Sequence, residues 1–102
     1  MRTQDDDTTE SLLSALQSRL RRAVLRTVIE AGAPLSPKEL AAHHRVTLKT
    51  MCHHVKTLVE VEGMTLVKIE PTGQTVQRFY APGPACSRPL VRDAIGIEVD
   101  EV

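Results

Sequence analysis

What the chain lacks narrows it first. It has no tryptophan, and Phe79 and Tyr80 are its only aromatic residues, so leucine, valine and alanine must fill the core. That supply favours helices with a small sheet. Two cysteines, Cys52 and Cys86, suit a compartment where thiols stay reduced, and no structural disulfide is expected of them. No apolar run exceeds three residues, as in Ala23-Val24-Leu25, whereas a spanning helix needs about 20. The opening "MRTQDDDTTE" is acidic and polar where a secretory leader is basic and then apolar, so the expectation is a cytoplasmic protein with no membrane partner. A phosphate-cradling glycine loop, a nucleophile elbow and convergent paired carboxylates are also missing; the chain does not read as an enzyme, and no cofactor is expected.

Net charge is missing as well, but its absence conceals an uneven distribution. Lys and Arg number 13 and so do Asp and Glu. Residues 18–56 hold Arg19, Arg21, Arg22, Arg26, Lys38, Arg45, Lys49 and Lys56 against Glu30 and Glu39, while both ends of the chain are acidic. A basic middle between acidic ends points to a polyanionic partner for the middle alone, or else to a mixed solvated surface.

With 102 residues the chain is one domain. Residues 1–8, short, polar and acidic, read as a disordered N-terminus. From Thr9, the residues Leu12, Leu13, Leu16, Leu20, Val24, Leu25, Val28 and Ile29 recur at steps of three and four, the period of an amphipathic helix. Ser18 marks a break within that pattern, and Gly32 with Pro34 ends it. "SPKE" at 36–39 supplies Ser36 as N-cap, Pro37 at the first helical position and Glu39 for a capping box. This short helix ends near Arg45, and Thr47 caps the next, whose stripe is Leu48, Met51, Val55, Leu58 and Val59, with Gly63 as terminator. "MTLVKIE" then alternates, with Thr65, Val67 and Ile69 on one face, Pro71 closing it, "TGQT" turning, and "VQRFYA" returning as a hairpin with a four-to-five-residue loop. "PGPACSRP" at 82–89 reads as a linker, and "LVRDAIGIEVDEV" as a short helix to Ile95 followed by an extended acidic C-terminal tail.

The order is helix, helix, short capped helix, three-residue turn, helix, hairpin. That is the order of a winged helix-turn-helix, mainly α with a small β-hairpin, in which the helix after the turn enters the DNA major groove and the hairpin lies along the backbone. The stretches "LQSRLRRAVLRTV" (16–28), "SPKELAAHHRVTLKTMCHHVKTL" (36–58) and "GMTLVKIEPTGQTVQRFYAP" (63–82) resemble the ArsR-like winged helix-turn-helix transcription regulators of actinobacterial or actinophage type. The resemblance implies a DNA-binding domain over 9–81, a recognition helix over 47–62 and a wing over 64–81, with 82–102 as linker and tail. It also implies a homodimer, for which Leu12, Leu13 and Leu16 of the first helix and the C-terminal segment are the expected contact. Three departures stand out: Cys52 where the family usually has serine, His44 before Arg45 where glycine is usual in the turn, and no C-terminal dimerisation helix.

"TLKTMCHHVKTL" (47–58) places a cysteine beside two histidines, the side chains that bind zinc. At about 100° per residue, consecutive residues diverge around a helix, so no metal ligands are assigned here. Lys49, Thr50, His53 and Thr57 fall opposite the apolar stripe, Cys52 is expected to lean into the core, and His54 to sit at the edge. Lysine can donate to guanine, threonine can offer a methyl or hydroxyl, and histidine can donate to guanine or phosphate. The expected DNA contacts are Ser36, Lys38, Arg45, Thr47, Lys49, Thr50, His53, His54, Lys56, Thr57, Thr72, Gln74 and Arg78, the turn and hairpin residues meeting phosphates. Sequence-specific binding of double-stranded DNA is thus the first reading, with no small-molecule effector. The alternatives are a protein-interaction module, favoured by the near-neutral pI of about 6.9, and a metal- or redox-responsive regulator built on Cys52 and the histidines.

Overall fold

The computed structural model describes residues 4–96, with side chains from Thr8 onward. Five helices and one antiparallel hairpin follow in the order α1 (Gln4–Ala15), α2 (Arg19–Ala31), α3 (Pro37–His44), α4 (Leu48–Glu60), β1 (Met64–Thr72), β2 (Thr75–Pro82), a 3-10 turn (Pro84–Ser87) and α5 (Pro89–Ile95). This order is compatible with a winged helix. No helix among the described residues is long and apolar enough to cross a membrane.

Local chemistry sets the helix starts. The Ser18 hydroxyl accepts from the Arg21 amide and opens α2. Ser36 and Glu39 form the complete capping box of α3, each side chain accepting from the other's backbone N–H. Thr47 accepts from the Thr50 amide at the start of α4. Such caps satisfy amides that have no partner within the helix, each contributing about 1 kcal/mol. At the other ends, Gly32 takes a left-handed φ of 69° after α2, and Arg45 a left-handed φ of 59° after α3. The Arg45 and Val46 amides donate to Ala42 and Ala41, the paired return bonds of a Schellman motif.

Aliphatic residues fill the core as the composition requires. Leu12 of α1, Leu16 just after it, Val24, Leu25 and Val28 of α2, Leu40 of α3, and Met51, Val55 and Leu58 of α4 are all buried. Met64, Ala85, Cys86, Val91 and Ile95 join the same cluster.

Several expectations are corrected. α1 begins at Gln4, within the segment read as disordered; a first helical turn favours acidic residues because the helix dipole is positive there. Residues 84–89, read as part of a linker, are structured, since Ala85 and Cys86 of the 3-10 turn are buried in the core, while α5 is the short helix to Ile95 that the sequence suggested and buries Val91 and Ile95. The acidic tail expected over 97–102 lies outside the described residues. Leu12 and Leu16 are consumed by the chain's own core, so they offer no dimer contact. The hairpin loop is only Gly73 and Gln74, because Pro71 and Thr72 continue β1 and pair with Val76 and Thr75. Gly73 takes the left-handed φ of 71° that so tight a loop needs. An irregularity between Leu66 and Lys68 breaks the expected alternation of Thr65, Val67 and Ile69. α4 is ended by Glu62 in a left-handed φ of 64°, one residue before the glycine expected to do so.

Gly63 and Gly83 do something else: Gly63 leaves room for the Leu12 side chain, and Gly83 lets two backbone segments touch. The Gly83 amide donates to the Gly63 carbonyl at 2.8 Å, and the Cys86 thiol donates to the same oxygen at 3.1 Å. Burial pushes the Cys86 thiol pKa up, which keeps it in the donating form. A Cβ on Gly83 would collide with the Glu62 carbonyl and stand 2.9 Å from the Met64 amide nitrogen. Since backbone, not a flexible side chain, is in the way, Gly83→Ala is expected to cost about 2 to 3 kcal/mol, measurable as a lowered midpoint in urea unfolding.

Candidate nucleic-acid interface

α4 buries Met51, Val55 and Leu58 and so fixes which residues face outward. Lys49, Thr50, His53 and Lys56 are exposed on the far side, as is Arg45 in the preceding turn and Lys38 at the start of α3. Arg78 is exposed on β2 and Gln74 at the hairpin tip. The ion pairs found among the described residues, Arg26 with Glu30 at 3.5 Å and Lys68 with Glu70 at 2.8 Å, use none of Lys38, Arg45, Lys49, Lys56 or Arg78. Five cations thus lie on α3, the turn, α4 and β2 with no carboxylate partner there.

Three of the four arginines of α2, Arg21, Arg22 and Arg26, are committed elsewhere. Arg21 donates to the Ala15 carbonyl at 3.1 Å, and Arg22 to the Leu16 carbonyl at 2.8 Å. Both guanidinium groups therefore satisfy the carbonyls ending α1, where the helix dipole is negative. Arg26 reaches the Gly96 carbonyl at 3.1 Å as well as Glu30. The basic middle of the sequence is divided: most of α2 works inward, and α3, α4 and the hairpin present their charge outward.

Five of the expected contacts, Ser36, Thr47, His54, Thr57 and Thr72, have internal duties. Ser36 is 1% exposed and its hydroxyl belongs to the capping box, which corrects its assignment as a DNA contact. The Thr47 hydroxyl both accepts from the Thr50 amide and donates to the Thr50 hydroxyl at 3.0 Å, so it is a cap first. Thr50 keeps its own O–H free to donate outward. Thr57 donates to the His53 carbonyl at 3.1 Å and is half-buried. His54 is half-buried and accepts at Nδ1 from Arg21 Nε at 3.1 Å, which ties α4 to α2 and leaves only Nε2 for any outside contact. Thr72 and Thr75 share a 3.2 Å hydroxyl contact across the hairpin end.

Cys52 does not lean into the core. It is exposed, because the buried stripe is centred on Met51, Val55 and Leu58 and is rotated away from Cys52 and Leu48. Cys52, half-exposed Leu48, Val55 and Val59 instead form one wall of a groove of about 580 Å³, whose other wall is the hairpin, with Val76, Arg78 and Tyr80. Sequence reasoning missed this groove. Its one available signal was Val76, an apolar residue beside the tip of a two-stranded hairpin, where nothing local can cover it. Among the described residues, no three His, Cys, Asp or Glu side chains gather closely enough to hold a metal ion.

The histidines divide along the same lines. His54 is held below its ordinary value of 6.5 by burial, by the Arg21 charge and by His53. His44 is lowered by burial and by His43, and its Nε2 lies 3.1 Å from the Thr27 hydroxyl. No protein-family model matches the chain, and no curated protein matches it.

Both lowered histidines take up a proton less readily when folded than when unfolded. Protonation below 6.5 therefore favours the unfolded chain, and stability falls as pH drops from about 7 towards 5. The double variant His44→Gln, His54→Gln is expected to flatten that slope in urea melts taken across the same range. Arg45 gives a second expectation. A non-glycine residue in the left-handed region is strained by about 1 kcal/mol or more, so Arg45→Gly should hold or raise the thermal midpoint even though it removes a surface charge.

Proposed function

We propose that this chain is a sequence-specific double-stranded DNA-binding transcription regulator of winged helix-turn-helix architecture. α4 is its recognition helix in the major groove, and the β1–β2 hairpin is its wing on the backbone. The observation that carries this reading is the outward face of α4. Lys49, Thr50, His53 and Lys56 lie opposite a stripe that is fully committed to the core, with Lys38 and Arg45 beside them and Arg78 on the hairpin, and none of these cations has an acidic partner among the described residues.

The residues divide by the work each can do. Lys49 and His53 project furthest from the stripe and meet base edges, where lysine donates to guanine O6 or N7. Lys38, Arg45, Lys56 and Arg78 meet phosphates, which set register and affinity without choosing sequence. Ser36 and Thr47 contribute by holding the starts of α3 and α4, and Gln74 reaches out from the wing tip. The reading makes the protein a binder rather than an enzyme, located with its DNA in the cytoplasm. A homodimer on a two-fold site remains part of the proposal, with a contact other than Leu12 and Leu16.

Selection from a random duplex library followed by anisotropy titration tests this. With about four phosphate contacts, the logarithm of the binding constant should fall with the logarithm of salt at a slope of roughly −3 to −4. Lys56→Ala should reduce that slope by about one and weaken all sequences alike, whereas Lys49→Ala and His53→Ala should each cost about 1 to 3 kcal/mol and relax the preference at particular positions. Absence of duplex binding at low salt overturns the reading. A protein-interaction module is the second reading, favoured by the aliphatic surface of the hairpin, where Leu66, Val67 and Ile69 are exposed.

A further inference from the structure

The groove between α4 and the hairpin carries two chemistries at once. Its floor and walls are largely apolar: Leu48, Val55 and Val59 from α4 line it with Val76 and the Tyr80 ring from β2. Leu48 is 50% and Val76 44% exposed, so two large apolar side chains of the groove lining are left open to solvent. Around them stand Lys38, Lys56 and Arg78 against the single carboxylate of Glu60. None of these three cations is used by an ion pair found among the described residues. At about 580 Å³ the groove falls within the roughly 300 to 1,000 Å³ range of small-molecule sites.

A DNA strand answers only half of that surface. Phosphates can meet the three cations, but a phosphodiester backbone gains nothing against Leu48 and Val76. A neutral hydrocarbon answers the other half and leaves the cations without a partner. A molecule with an apolar chain and one anionic end satisfies both, burying its chain between the α4 and β2 walls and placing its charge among Lys38, Lys56 and Arg78.

We propose that the α4–hairpin groove is a binding site for a small amphiphilic anion of the aliphatic carboxylate class, and that its occupant competes with DNA. The binding itself follows from the groove; the competition rests on the DNA-binding reading, because Lys38, Lys56 and Arg78 are assigned to phosphates there. Bound ligand would cover those cations and hold the hairpin to α4, so regulation would come by direct occlusion.

The experiment uses decanoate, with decanol and decyltrimethylammonium as chain-matched neutral and cationic controls, each titrated into the full chain and followed by amide chemical shifts. Decanoate is expected to bind saturably, with the largest shifts at Val55, Val59 and Val76, and more tightly than either control. Arg78→Gln and Lys56→Gln should each weaken decanoate about two- to fivefold and leave decanol unchanged. Val76→Asp, at an exposed position, places a carboxylate in the wall and should abolish saturable binding while the circular dichroism spectrum stays that of the parent. Equal affinity for decanol, shifts that map away from the groove, or indifference to both cation variants overturns the proposal. A parallel arm adds decanoate to the protein bound to its selected duplex and expects release. If no duplex is bound at all, the DNA reading fails and the direct titration still decides the groove; if duplex is bound and decanoate releases none of it while filling the groove, the competition fails.

Discussion

The geometry of this protein depends on one place where two stretches of backbone touch. Gly83 donates to the Gly63 carbonyl with no side chain between the strands, and the Glu62–Met64 backbone leaves no room for one. That contact joins the end of α4 to the end of β2 and delivers the chain into the 3-10 turn, where Ala85 and Cys86 plug the core. The Cys86 thiol donates to the same Gly63 oxygen, so a single carbonyl holds both the hairpin base and the segment leading to α5. A second tie lies nearby, where Leu35 and Tyr80 exchange backbone hydrogen bonds at 3.0 and 2.8 Å and fasten β2 to the α2–α3 connection.

With the hairpin held at that end, its free end projects beside α4. The groove, the exposed cations and the outward face of the helix are consequences of that placement. α4 itself cannot rotate to change them, because Met51, Val55 and Leu58 are locked into the core and Arg21 ties His54 to α2. The side chains proposed to read DNA therefore stand on a helix whose orientation is decided by its hidden face. This is the general way in which a small domain makes a precise surface from a modest core.

The arginines of α2 show why composition misleads about charge. A count of residues 18–56 suggests one continuous basic surface, yet Arg21 and Arg22 spend their donors on the carbonyls that end α1, and Arg26 on Glu30 and Gly96. Only the structure separates charge that holds the molecule together from charge offered to a partner. The separation strengthens the argument for the outward set, since Lys38, Arg45, Lys49, Lys56 and Arg78 form no ion pair among the described residues.

The sequence by itself determined the parts governed by near neighbours. The starts of α2, α3 and α4 at Ser18, Ser36 and Thr47 were legible because an N-cap acts on an amide three residues away, and the hairpin was legible because residue alternation is local. The outward placement of Lys49, Thr50 and His53 followed from helical period alone. What only the tertiary structure decided are matters of long range: that Leu12 and Leu16 are core residues, that 84–95 is packed, that His54 is tied to Arg21 thirty-three positions earlier, and that Cys52 looks into a groove. Periodicity states which residues share a face, but a face has no inside until another element covers it, and that is set by contacts between segments far apart in the chain.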